Sequence, residues 1–251
     1  MTFGGTERPA PRWCHAATEL DDFAMVTYRV PTERLDAVTP DGVVPDRFTF
    51  DDGTEGSLVS AVPFLDRDFH FRFFPLVKVS CGQVNYRAYV HVGGRRGVWF
   101  FGTSLDSVFV ALPRRAWRMP WHRDRIHIDS DWGPDGCRRW AFRADGWGAG
   151  ECRLTSQGVP LGRLDGFADR DHTLEVLTHP TVGWYERTSQ GLGQYSIWHD
   201  VLAAEACDVD EARFAVFERL GLVEPGAAPH SAIVQRTVHF DVHTPPVRLA
   251  D

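Results

Sequence analysis

Alternation of apolar and polar positions dominates the middle of the chain. Val84, Tyr86, Ala88, Val90 and Val92 occupy one set of positions, and Asn85, Arg87, Tyr89 and His91 fall between them. A period of two sends successive side chains to opposite faces of a strand. Val79–Val92 is therefore predicted as a strand with one apolar and one polar face. Gly93 and Gly94 follow, a pair suited to a tight hairpin. The returning segment, Gly97–Thr103 (GVWFFGT), is apolar on both faces and should be central and buried. Phe23–Val30 reads as another strand. Pro31 then fixes φ, and Thr32–Val38 forms one or two helical turns. Ser57–Phe74 is β-rich but broken near Pro63 and Asp66. A proline cannot donate to a ladder, so Pro63 predicts an edge or a bulge.

Helical spacing is rarer. Leu105, Val108, Phe109 and Leu112 recur at the helical period behind a capping Ser104, and Pro113 kinks or ends that helix. Asp169–Thr178 suits a short helix. Asp208 and Glu211 form a D-x-x-E capping box. Val209, Ala212, Val216, Phe217 and Leu220 then predict a helix stopped by Gly221. Further strands are predicted at Arg123–Ser130, Arg138–Ala144, Glu151–Ser156, Gly183–Arg187, Gln194–His199 and Ile233–His243. No Pro/Gly/Ser-rich linker divides the chain. The pattern predicts a single α+β domain built on a large antiparallel sheet or cone-like barrel.

Composition narrows the partners. The 251 residues carry a net charge of −7 and are 43% hydrophobic, which excludes a disordered chain and argues against nucleic-acid binding. Apolar runs are far too short to span a bilayer. The N-terminal MTFGGTERPAPRW lacks a basic-then-apolar export signal, so a cytoplasmic protein with no membrane partner is expected. Lys78 is the single lysine among 27 basic residues, so only one side-chain amine could form a Schiff base. The five cysteines are odd in number and include no C-x-x-C pair. Buried, inert thiols are expected rather than a disulfide framework or zinc ribbon.

Three groups of residues could carry chemistry. Arg87 and Tyr89 share the polar face of the alternating strand. That face either converges on a pocket, where an arginine would grip a carboxylate, or faces solvent. Arg114–His122 (RRAWRMPWH) offers anion clamps, an aromatic wall and a base near neutral pH, or else solvated arginines around core tryptophans. His239, Asp241 and His243 share a strand face, but the outer two lie ~13 Å apart along the backbone, too far for easy joint metal ligation. No metal is expected. GWGAG (Gly146–Gly150) reads as a loop, and neither G-x-S-x-G nor H-E-x-x-H occurs.

Several stretches carry a family resemblance: FAMVTYRVPTERLDAVTPDGVVPD (Phe23–Asp46), then NYRAYV, GVWFFGTSLDS and RRAWRMPWH, and PHSAIVQRTVHFDVHTPP (Pro229–Pro246). Together they resemble the YqjF-like branch of the acetoacetate decarboxylase-like superfamily, a branch of unknown function. The resemblance implies a cone-shaped antiparallel β barrel with a few peripheral helices and a central pocket. It would span residues 23–246, after an N-terminal extension (1–22) and before a short tail (247–251). The decarboxylases use a lysine Schiff base tuned by a second lysine. At the matching positions after Pro120 stand Trp121 and His122. Two pocket glutamates of the family correspond to Ser60 and Gln83, while a first-strand arginine is kept as Arg29.

The resemblance therefore implies an anion-binding pocket without an amine. The expected function is a small-molecule enzyme of lyase, dehydratase or cyclase type. It would act, in a biosynthetic setting and without cofactor, on an oxo-acid or polyketide-like substrate. His122, Arg87 and Arg115 are the expected catalytic residues. Arg29, Ser60, Gln83, Asn85, Tyr89, Trp99, Trp117 and Trp121 are expected to bind substrate. Two alternatives remain: a non-catalytic small-molecule binding protein, and an interaction protein whose cavity is filled by its own aromatics. A small-molecule partner is expected, and self-association is left open.

Overall fold

The computed structural model describes residues 8–249. In chain order the elements are β1 (Ala16–Val30), α1 (Thr32–Asp36), β2 (Val43–Pro45), β3 (Phe48–Thr49), β4 (Glu55–Phe71), β5 (Val79–Val92) and β6 (Arg95–Leu105). A 3-10 turn leads into α2 (Ala111–Ala116), followed by β7 (Trp121–Arg123), β8 (Arg125–Gly133), β9 (Gly136–Asp145) and β10 (Gly150–Pro160). The short α3 (Arg170–Thr173) continues as a π-helical turn, Leu174–Thr178. The chain ends with β11 (Val182–Glu186), β12 (Leu192–His199), β13 (Glu205–Phe214), α4 (Ala215–Arg219) and β14 (Ser231–Arg248).

Seven strands close into a barrel in the order β1-β4-β5-β6-β11-β12-β14, because β14 pairs back onto β1 from Thr27↔Ser231 to Ala16↔Val242. Closure leaves no free edge in the ring. β11 pairs with β6 in parallel, and the other ring pairs are antiparallel. From β14 a branch runs outward through β13, β10, β9 and β8. It lays Trp140, Phe142 and Leu154 against Val59, Ala61, Val84 and Tyr86 on the barrel's outer face, making one core. A second core fills the interior with Met25, Leu58, Val62, Phe64, Tyr89 and Phe100.

This arrangement decides the two-faced strand. The apolar positions of β5 face the outer core, while Gln83, Arg87 and Tyr89 on its other face are buried in the barrel; Arg87 is 8% exposed. The solvent-facing alternative for Arg87 does not hold.

Irregularities set which residues face inward. In β1, Leu20 and then Phe23 and Met25 belong to the interior, while Ala24 and Val26 belong to the outer core. The inward parity switches at Asp22, whose φ is 47°. That conformation is tolerated by aspartate better than by most side chains. Its carboxylate accepts hydrogen bonds from Ser130 and Trp132 of β8, at 2.7 and 2.6 Å, which ties the outer sheet to the bulge. The alternation breaks there, so the sequence predicts only Phe23–Val30 of this strand. Pro63 lies inside β4, opposite Val84 of β5, where the pairing of β4 with β1 lapses between Leu65 and Ala61. Its missing N–H falls at a bulge, one of the two positions expected.

Two predicted helices are corrected. The chain stays extended through Phe214, because Asp208 and Glu211 find partners across the β10–β13 ladder: Gln157 donates to Asp208 at 2.8 Å, and Arg153 pairs with Glu211 at 2.7 Å. These tertiary partners outweigh the capping pattern, and the helix shrinks to α4, ending before Gly221 (φ 67°). Ser104 belongs to β6. The Ser107 side chain instead accepts from the Phe109 N–H, and Pro113 sits in the first turn of α2, where no intrahelical donor is needed.

Candidate functional site

The interior holds two distinct regions. The deeper is a polar layer built by register. Thr27, Ser60 and Arg87 stand side by side on β1, β4 and β5. The Thr27 and Ser60 hydroxyls lie 2.8 Å apart, and Ser60 lies 2.8 Å from the Tyr89 hydroxyl. Tyr89 donates to the Leu177 carbonyl at 3.3 Å, and Arg87 donates to the same carbonyl at 2.8 Å. Leu177 is near the end of the π turn, where carbonyls lack intrahelical partners and a cation is favourable. Arg87 therefore caps a helix end from inside the barrel. Nearby, the Asn85 side-chain carbonyl accepts from Gln83 at 3.0 Å and Thr103 at 2.8 Å.

The second region is a cavity of about 250 Å³ at one mouth of the barrel. It lies between the β4–β5 hairpin, the stretch from the end of β6 through α2 to Trp121, Tyr195 of β12 and the end of β14. Phe69, Phe71, Trp117, Met119, Trp121 and Tyr195 supply most of its body. One carboxyl faces it: Asp66 on β4, opposite Cys81 on β5 and touched by the Thr18 hydroxyl from β1. Burial among these walls raises the Asp66 pKa from 3.8 to about 7, against the hydrogen bond from Thr18, which lowers it. Burial and the charges of Asp66 and Asp106 push the Cys81 thiol up to about 12, so it is protonated and a poor nucleophile near neutrality. Burial likewise raises the Tyr195 hydroxyl, opposed by Arg87. Near pH 7 the Asp66 carboxyl can thus both give and take a proton, and His70 is a further titratable side chain in the lining.

The structure distributes the expected site residues rather than gathering them. Trp117 and Trp121 line the mouth cavity. Ser60, Arg87 and Tyr89 form the deep layer, with Gln83 and Asn85 bonded to each other. Arg87 meets β4 at Ser60, six positions from Asp66, or ~20 Å along the strand. Four residues lie elsewhere. Arg29 pairs with β4 at Leu58, ~26 Å along that strand from Asp66. There it lies 3.6 Å over the Phe50 ring and forms ion pairs with Asp52 and Asp165. Trp99 is packed in the outer core. Arg115 is exposed on α2. His122 stacks flat on Trp147, ring centroids 3.9 Å apart. Burial, with the charge of Arg114, lowers the pKa of His122 to about 4, leaving it neutral. The expected clustering of Arg29, Arg87, Arg115 and His122 around one ligand is therefore not found. Alternation on β5 carried Asn85, Arg87 and Tyr89 to the interior and the family resemblance supplied Ser60 and Gln83, whereas the RRAWRMPWH segment crosses from the cavity to the outer face within two residues.

Other candidates resolve simply. Lys78 forms an ion pair with Asp68 at 2.7 Å and does not line the cavity. Asp241 is buried and held by Arg8 and Arg72 at 2.6 and 2.5 Å, while His243 stacks against His15. Among the described residues no group of three His, Cys, Asp or Glu side chains is arranged to hold a metal. All five thiols are free, with Cys137, Cys152 and Cys207 buried and Cys14 and Cys81 partly so.

Asp66 and Tyr195 were not anticipated. A signal for Asp66 existed: Leu58, Ser60, Val62 and Phe64 face inward at every second position, and the next in step is Asp66. A carboxylate in phase with a buried face is the feature to look for.

A closed seven-strand barrel with few helices and an apolar mouth cavity is the acetoacetate decarboxylase-like fold. Similar solved structures include an acetoacetate decarboxylase-like enzyme from Sphingomonas wittichii RW1, at 14% identity over 98% of each chain with a TM-score of 0.62. Acetoacetate decarboxylase from Legionella pneumophila is similar at 12% identity over 100% of this chain and 99% of that one, TM-score 0.62. The enduracididine biosynthesis enzyme MppR, complexed with pyruvate, is similar at 14% identity over 99% and 94%, TM-score 0.58. No curated protein matches the sequence. The chain belongs to the DUF2071 family, described as an uncharacterized conserved protein, and residues 17–240 match that family. Family and fold are those the resemblance implied. Among the described residues no helix is long and apolar enough to cross a membrane.

Proposed function

We propose that the chain is a small-molecule enzyme of lyase, dehydratase or cyclase type, in which Asp66 exchanges a proton with an oxo compound held in the mouth cavity. The observation that carries this reading is the Asp66 carboxyl, with a pKa of about 7, facing a largely apolar wall that also includes His70. A general acid–base group works best when its pKa lies near the working pH. Protonated, Asp66 donates to a carbonyl oxygen; ionised, it takes a proton from the adjacent carbon. The aromatic lining suits a substrate with an apolar, polyketide-like body. The chain's one lysine, Lys78, is engaged by Asp68 outside the lining, which supports chemistry without an imine. The similarity to MppR, an enzyme seen with pyruvate, supports an oxo compound as ligand.

The test is proton exchange and turnover of a panel of β-keto acids and alkyl ketones in deuterated water, followed by NMR. Wild type should act with a pH dependence centred near 7, and Asp66→Asn should lose ~10²–10⁴-fold. An unchanged rate in Asp66→Asn would contradict the proposal. The scarcity of polar groups in the lining favours a second reading, a binding protein. Native mass spectrometry separates the two, since a carrier returns its ligand unaltered.

A further inference from the structure

Two segments at the mouth expose apolar side chains. The tip of the β4–β5 hairpin presents Phe73, Phe74 and Leu76, and the turn entering α2 with the first residues of α2 presents Val108, Phe109 and Leu112. These six are 51–88% exposed. Isolated exposed hydrophobics are ordinary, but apolar groups gathered together mark an interaction surface. Both segments run on into the cavity, whose wall includes Phe71 and Val77 from the hairpin and Phe109 and Leu112 from the turn. The apolar surface is thus continuous from the lips to the interior.

Charge follows the same geography. Residues 67–78 contain Arg67, Arg72 and Lys78 against Asp68, and residues 105–118 contain Arg114, Arg115 and Arg118 against Asp106. Each lip is therefore net positive on a chain of net charge −7. Arg67, Arg72 and Lys78 are ion-paired with Asp21, Asp241 and Asp68. Arg114 and Arg115 are exposed on α2 and form no ion pair among the described residues. Apolar tips flanked by free guanidinium groups suit the boundary between acyl chains and anionic headgroups. A second copy fits less well. A two-fold contact across these lips would bring Arg114 and Arg115 towards their own copies, and it would cover the cavity.

We propose that the mouth of the barrel docks on an anionic lipid surface, with the hairpin tip and the α2 turn among the acyl chains and Arg114 and Arg115 against headgroup phosphates. Docked in this way, the cavity opens onto the bilayer, and a lipid-soluble compound reaches it without crossing water. The absence of spanning segments in the sequence does not bear on such a surface. The proposal makes no use of Asp66 and stands apart from the proton-transfer reading.

The test is co-sedimentation of the full chain with phosphatidylcholine–phosphatidylglycerol vesicles and with pure phosphatidylcholine vesicles, at low and high salt. The full chain should bind the mixed vesicles, about tenfold or more weaker in high salt or without the anionic lipid. The double variants Leu76→Ser/Phe109→Ser and Arg114→Glu/Arg115→Glu should lose about tenfold or more. Hydrogen exchange on the wild type should show vesicle-dependent protection at residues 72–78 and 107–113, a readout independent of how the variants fold. Wild type remaining in the supernatant, or protection elsewhere only, overturns the proposal. So does a dimer seen by light scattering that the same variants dissociate and that does not bind vesicles.

Discussion

The deep layer and the mouth lie inside the same barrel yet solve opposite problems. In the deep layer polar groups bond mainly to one another: Thr27, Ser60 and Tyr89 form a chain that ends on the Leu177 carbonyl, and Arg87 donates to the same carbonyl while its buried Nε finds no partner among the described residues. At the mouth a single carboxyl is set against largely apolar walls and bonded to the Thr18 hydroxyl, and burial raises its pKa from 3.8 to about 7. Polar groups bonded to one another build a rigid interior. A poorly solvated acid is costly to the fold and useful to chemistry. Under the proposed function the contrast gives Asp66 the chemistry and Arg87 a place in the architecture, although both are ionisable residues facing the barrel interior.

The largest expected effect breaks the architectural side. Arg87→Ala strips a buried group from Leu177 and leaves that carbonyl without its strongest donor. Urea unfolding should show a loss of about 2–4 kcal/mol. A loss of only a few tenths would mean that the layer is not held together as described.

An effect of comparable size and opposite sign sharpens the functional side. The folded pKa of Asp66 is raised from 3.8 to about 7, so between those values the folded state binds more protons than the unfolded state. Stability contributed by the protonated carboxyl is full below pH 4 and is lost as pH rises to about 7, with a slope of at most about 1.4 kcal/mol for each tenfold fall in proton concentration. Asp66→Asn should lack this loss and should be the more stable protein at pH 8. His122 and His199 slope the other way. Their pKa values are lowered to about 4, mainly by burial, so they destabilise the fold as pH falls from 6.5. The difference between wild type and Asp66→Asn cancels that common background. Parallel stability curves for the two proteins would count against the raised pKa.

The smallest effect concerns a residue outside both regions. His122→Ala removes a ring stacked on Trp147 and should cost about 1 kcal/mol. It should leave ligand exchange in the mouth cavity unchanged. A strong loss of turnover without loss of stability would return His122 to the site.

These regions also differ in how far the chain reveals them. The deep layer was legible because period-two alternation on β5 survives tertiary packing; Arg87, Tyr89, Asn85 and Gln83 all follow it. What alternation could not say is that the face opposite the apolar one is also buried, since that depends on β14 closing the ring onto β1. The mouth was poorly legible for a different reason. It is assembled from the β4–β5 hairpin, the α2 region, Tyr195 and the end of β14, which are distant in sequence, and its phase is set by irregular backbone. The β4–β5 pairing shifts between Asp66 and Phe69, around Asp68 with φ 55°. The predicted helix after Asp208 failed because Arg153 and Gln157 on a neighbouring strand took the acidic side chains that would have capped it. Family resemblance supplied the barrel, but it drew attention to Pro120–His122, where the chain turns from the cavity wall to the outer core.

Carboxyl carbon-13 NMR of aspartate-labelled protein, titrated across pH and assigned by loss of one resonance in Asp66→Asn, tests the central claim most directly. A midpoint near 7 for Asp66 is the predicted result. A midpoint near 4, the value of a solvated aspartate, would contradict it.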